Sequence, residues 1–242
     1  SVARFGLGAT GNADFGYFGG GGPGEKSTVD RIDYANDVVE APSKGPLSVA
    51  RFGLGATGNA SFGYFGGGYT GSDNGVIDRI DYSNDTADAS PKGSISPAIR
   101  GLSATGNSSF GYFGGGHPAK STVSRVDYSN DTATAATKGP LSAGRKYLGA
   151  SSSQANAITV GTLFPAPTVR ENVAPQGTDF GYFGGGTTPT VSTVDRVDYA
   201  SDTLTALVKG PLSSARRTLG ATGNASFGYF GGGEGPSEVS TI

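Results

Sequence analysis

The chain has 242 residues and a formal net charge of −2, from 18 basic and 20 acidic residues spread along its length, so it has no clustered basic face and no nucleic-acid partner is expected. Cysteine, methionine and tryptophan are absent, which excludes disulfides, thiolate metal sites and a cysteine nucleophile; no run of 18 apolar residues occurs, and no membrane insertion is expected. Glycine supplies 43 residues, well above its usual share of about 7%, yet 13 Phe and 11 Tyr accompany it, which describes an aromatic, turn-rich β-protein rather than a linker.

The text Phe-Gly-Tyr-Phe-Gly-Gly-Gly begins at Phe15, Phe62, Phe110, Phe180 and Phe227, so one module of about 47 residues recurs five times with a single interruption. The modules open near residues 4, 51, 100, 145 and 216 and form one repeat domain over 1–242. The missing methionine, with ends that fall in mid-module, leads to the expectation that the sequence is a piece of a longer polypeptide.

The second module shows the elements most plainly. Arg51 to Thr57 is mostly small residues and predicts a first strand in a crowded place. Gly58-Asn59 tolerates positive φ and predicts a tight hairpin. Phe62 to Gly66 is the second strand, with Phe62 and Tyr64 on one face and Gly63 and Phe65 on the other. A glycine facing into a packed sheet marks the close approach of another backbone.

After the glycines comes a loop that differs in every copy, and then a third strand, Val76 to Tyr82, matched by Val29 to Tyr34, Val123 to Tyr128 and Val194 to Tyr199. Arg79 and Asp81 share a face and are expected to pair beside each other or across a neighbouring strand. Ser83-Asn84-Asp85 predicts a turn, because Asn and Asp bond back to their own main chain. The fourth strand is clearest at Thr132 to Thr137. Four short strands joined by turns make a meander, and meanders in tandem predict an all-β propeller of four-stranded antiparallel blades, five in number with the last incomplete in this chain.

An arginine, a small-residue strand, an aromatic strand ending in Gly-Gly and a Val-x-Arg-Ile/Val-Asp-Tyr strand together resemble the kelch repeat, which implies a propeller blade. Asp81 precedes Tyr82 rather than following it, and Thr or Ala stands where the kelch repeat has tryptophan. The wording of the module also resembles repeat proteins of marine phages, particularly those infecting cyanobacteria. That resemblance implies a fibre-like or other appendage protein of a virion.

The fourth module carries an insertion over about 151–179, in which Ala157 to Phe164 has strand-like composition before Pro165, Pro167 and Pro175 break it. Long inserted loops are commonly functional. The variable loops offer Glu25, Lys26, Tyr69, Asp73, His117 and Lys120 as ligand-binding candidates for a polar ligand such as a glycan. His117 is the only histidine, so neither a catalytic triad nor a multi-histidine metal site can be built; catalytic and metal residues and cofactors are each expected to be none. Asp30 with Arg31 and Asp195 with Arg196 look like acid–base pairs but recur in nearly every module, which suits structural pairing, since an active site is needed once.

These residues lead to the expectation of a non-enzymatic structural or adhesion module on a virion or extracellular surface, with a host receptor as a target. Its partners would be other virion or surface-assembly proteins and cell-surface glycan. The alternatives are a glycan-binding, lectin-like propeller with one site per blade, and a subunit of a repeat-built extracellular fibre.

Overall fold

The computed structural model describes residues 3–152, 180–223 and 227–235. Four antiparallel sheets of four strands stand around a common axis in a propeller arrangement, and a two-stranded fifth begins the next blade. The first blade is β1 (Gly8–Gly11), β2 (Phe15–Gly19), β3 (Val29–Asp33) and β4 (Ser43–Lys44). The second is β5 (Gly55–Gly58), β6 (Phe62–Gly66), β7 (Val76–Asp81) and β8 (Ser90–Ser94). The third is β9 (Ser103–Gly106), β10 (Phe110–Gly114), β11 (Val123–Asp127) and β12 (Ala136–Lys138). The fourth is β13 (Gly149–Ser152), β14 (Phe180–Gly184), β15 (Val194–Asp198) and β16 (Leu207–Lys209); β17 (Gly220–Gly223) and β18 (Gly228–Gly231) follow. The inserted segment, including the expected strand over 157–164, falls outside the described residues apart from Ser151, Ser152 and its flank.

The innermost strands β1, β5, β9, β13 and β17 line an axial cavity of about 340 Å³ with Ala9, Ala56, Ala104, Ala150 and Ala221 and their neighbours. Small residues are what a narrow axis accepts. Each inner strand begins later than its composition suggests, because Gly6, Gly53 and Gly101 adopt φ of 62°, 67° and 65°, a left-handed conformation that a strand cannot contain. These residues are strung together across blades: Gly53 N donates to Gly6 O, Gly101 N to Gly53 O, Tyr147 N to Gly101 O and Thr218 N to Tyr147 O, at 2.7–2.8 Å.

The hairpin after β5 is turned by a side chain rather than by positive φ. Asn59 Oδ1 accepts from the N–H groups of Ser61 and Phe62, both at 2.9 Å, and Asn12 and Asn107 do the same in their blades. The three glycines that end each aromatic strand have separate causes. A Cβ on Gly66 would lie 2.7 Å from the Phe113 ring of the next blade, whereas Gly67 and Gly68 sit at φ of 71° and 115°.

Blades pack through the second strand. Phe65 presses on Gly19 of the preceding blade, Phe113 on Gly66 and Phe183 on Gly114. Tyr17, Tyr64 and Tyr112 point the other way and stack on Tyr82, Tyr128 and Tyr199 of the following blade, with centroids 4.5–4.8 Å apart. All three are fully buried, and an aromatic side chain removed from water in this way contributes about 4 kcal/mol. Gly63 is therefore small for a different reason from the one expected. A Cβ there would meet the Tyr82 hydroxyl and the Thr10 methyl at 2.7 Å, so side chains, not a backbone, take the space.

The outer strands are shorter than the composition suggests. Thr132 and Ala133 belong to the turn, and β12 starts only at Ala136, because the turn after Asp127 includes a short 3-10 segment over Tyr128–Asn130.

Candidate functional site

The acidic and basic residues of the third strand do not pair with their neighbours in sequence. Arg79 donates to Asp131 of the next blade at 2.8 Å, while Asp81 caps its own turn by accepting from Ser83 N at 2.9 Å. Neither Asp30 with Arg31 nor Asp195 with Arg196 forms a pair: Asp30 is bound by Arg4, Asp195 by Arg145, and Arg31 reaches Asp85. Adjacent residues on a strand face opposite sides, so each finds its partner in a different layer.

Two recurring polar systems result. In the first, the tyrosine, arginine and lysine of one blade converge on the turn aspartate of the next. Tyr17, Arg31 and Lys44 meet at Asp85, at 2.9, 2.8 and 3.2 Å. Tyr64, Arg79 and Lys92 meet at Asp131, and Tyr112, Arg125 and Lys138 at Asp202. Burial of Asp85 works against its charge, but the donors from Tyr17, Lys44 and Arg31 outweigh it and hold the carboxyl below its ordinary value. Burial, together with the neighbouring Asp85 carboxylate, pushes the Tyr17 hydroxyl well above its ordinary value, so it serves as a donor at any physiological pH.

In the second system, an arginine ahead of the inner strand is buried against the first aspartate of the third strand, as in Arg51 and Asp78, both 0% exposed and 3.0 Å apart. The third blade has Ile99 and Ser124 at these two places. Arg100, which reads as the module-opening arginine, instead occupies the position of Phe52: its backbone bridges His117 as that of Phe52 bridges Tyr69. The loss of Asp at 124 was visible in the sequence. Its coupling to Ile99 was the signal that could have found the displaced arginine.

The variable loops and the linkers between blades share one rim, and here the displaced Arg100 becomes a surface residue. Its guanidinium pairs with Asp73 at 2.7 Å and lies 4.5 Å above the Tyr69 ring centroid. Tyr69 in turn packs on Phe52, with centroids 5.4 Å apart, and His117 N donates to Arg100 O at 2.7 Å. Burial, followed by the charges of Arg100 and Lys146, lowers the His117 pKa and favours neutral imidazole. Four elements of this cluster, Tyr69, Asp73, Arg100 and His117, thus gather between the second and third blades, beside Lys146 and Tyr147 of the fourth, whose ammonium and ring are 5.5 Å apart.

The other sequence candidates do not join them. Lys26 and Lys120 contribute backbone carbonyls, which accept from Arg51 N and Arg145 N at 3.0 Å, and Glu25 is exposed at a loop tip in the first blade. Phe52, Arg100, Lys146 and Tyr147 were not singled out, because each looks like a strand or linker residue until the blades are placed side by side. Among the described residues, no three His, Asp or Glu side chains gather as a metal centre would need.

No protein-family model matches the chain, and no curated protein matches it.

Proposed function

We propose that the chain is a non-enzymatic adhesion module, a kelch-like scaffold on the surface of a virion or extracellular assembly, that presents a ligand-binding rim. One observation carries this reading. The polar residues that recur from blade to blade are engaged in pairing within and between blades, while residues that differ between blades collect on one rim around Tyr69, Asp73, Arg100 and His117. An aromatic ring beside an ion pair suits a polar ligand with an apolar face, such as a cell-surface glycan. Host attachment is the role that follows from such a surface.

The test is binding of the intact protein to glycan arrays and to candidate host cells, with Tyr69→Ala and Arg100→Ala compared with the unaltered chain. Binding that falls at least tenfold in both variants, with unchanged thermal unfolding, supports the reading. Binding that survives both, or no binding by the unaltered chain, overturns it.

A further inference from the structure

The first, second and fourth blades each bury a guanidinium head in the same socket. Arg4 donates to the carbonyls of Phe18, Gly20 and Thr28 and pairs with Asp30. Arg145 donates to Gly185 O and Thr193 O and pairs with Asp195, and Arg51 donates to Phe65 O and pairs with Asp78. The linker holds the carboxylate from the other side: Ser48 donates to Asp78 through its hydroxyl at 2.6 Å and its N–H at 3.2 Å, and Ser142 N donates to Asp195 at 3.1 Å.

The third blade keeps the socket and changes what enters it. Ile99 takes only the place of the arginine stem: a Cβ on Gly116 would meet Ile99 Cδ1 at 2.3 Å, as one on Gly68 would meet Arg51 Cδ at 3.0 Å. Beside this shorter side chain lies the cavity of about 60 Å³, lined by Phe113, Gly115, Thr122 and Ser124. These are the counterparts of Phe18, Gly20, Thr28 and Asp30, the partners of Arg4, so the cavity stands where guanidinium and carboxylate meet in the other blades. Ser96, the counterpart of Ser48, lines it as well. Ser124 is 2% exposed, and its hydroxyl has no hydrogen-bond partner among the described residues. A polar group at that depth gains from any ligand able to pair with it. The mouth lies between Ser96-Pro97 and Lys120, all exposed.

Charged ligands are unsuited to this place. A cation would be desolvated with no carboxylate among the lining residues and with Lys120 at the mouth, and an anion would face carbonyl oxygens. An uncharged group with a donor on one side and an acceptor on the other matches both walls. We propose that the cavity binds an acetamide-type group, a small uncharged amide. Its N–H donates to the carbonyls of Gly115 and Thr122, its oxygen accepts from the hydroxyls of Ser124 and Ser96, and its methyl packs on Ile95 and Ile99. The volume, about twice a water molecule's share of the liquid, suits such a group. The same amide is carried by a free small molecule or by an N-acetylated sugar whose ring stays outside the mouth. The site does not depend on the adhesive reading of the rim, and its readout is local to the cavity.

The test titrates acetamide, N-acetylglucosamine and glucose separately into the intact protein and follows backbone amide chemical shifts. Saturable shifts at Ser96, Gly115 and Ser124 are expected, with a Kd on the order of 1 mM for acetamide because so few atoms make contact. Saturation by N-acetylglucosamine but not glucose marks an amide borne on a sugar; saturation by acetamide alone marks a free one. N,N-dimethylacetamide, which has no N–H, and methylguanidinium should each bind at least tenfold more weakly. Ile99→Arg combined with Ser124→Asp restores the pair of the other blades and should abolish binding with no fall in the unfolding midpoint. Ser124→Ala, a smaller change, should weaken binding at least tenfold. No saturable shift with either amide, equal binding of dimethylacetamide, or tighter binding of methylguanidinium overturns the proposal. So does binding that survives in the folded double variant or is indifferent to Ser124→Ala.

Discussion

Replacing Arg51 and Asp78 together should be far milder than the sum of the two single replacements. The two side chains are fully buried and 3.0 Å apart, with Arg51 also donating to Phe65 O and Ser48 donating to Asp78. Removing one partner leaves an uncompensated charge out of water, which costs about 3–5 kcal/mol, whereas replacing both with packed residues is often neutral. The third blade already carries such a replacement, Ile99 and Ser124, with a small cavity of about 60 Å³ beside them. Arg51→Ile and Asp78→Ser should therefore each lower stability by about 3 kcal/mol or more, and the double variant should recover most of one such loss, a coupling of about 2–3 kcal/mol. Urea unfolding followed by tyrosine fluorescence, with the slope compared across all four proteins, measures this directly. A double variant as unstable as the sum of the singles would show that the pair is not an exchangeable unit.

Gly93→Ala and Gly210→Ala are the same change with opposite surroundings. The first sets a methyl 1.8 Å from Ala133 O and should cost about 1–3 kcal/mol or more, while the second meets open space and should leave the unfolding midpoint within experimental error. Thr218 holds φ of 52° where the first three blades use glycine, so Thr218→Gly should raise stability by about 1 kcal/mol in the same assay. Because the Asp85 carboxyl is held below its ordinary value when folded, its contribution is complete above about pH 4 and is lost as pH falls through the depressed folded-state value. Asp85→Asn should lower stability at neutral pH and flatten the acid limb of a pH–stability profile; an unchanged acid limb would remove Asp85 from that role.

The sequence by itself determined the module, its strand order and the propeller arrangement, because a β-meander is a local object whose turns and alternation are written within 47 residues. It also placed the second strand correctly, from Phe62 to Gly66, since alternation there is uninterrupted. It could not assign partners. Arg79 and Asp81 share a face and Asp30 and Arg31 are adjacent, yet Asp81 caps its own turn, Arg79 and Arg31 reach aspartates of the next blade and Asp30 is bound by Arg4 ahead of the inner strand, pairings set by how sheets stack rather than by closeness in the chain. The candidate rim shows the same division. Tyr69, Asp73 and His117 were legible as variable loop residues, but only the stacking of blades brought Arg100 onto Tyr69 and left Lys26 and Lys120 with backbone roles.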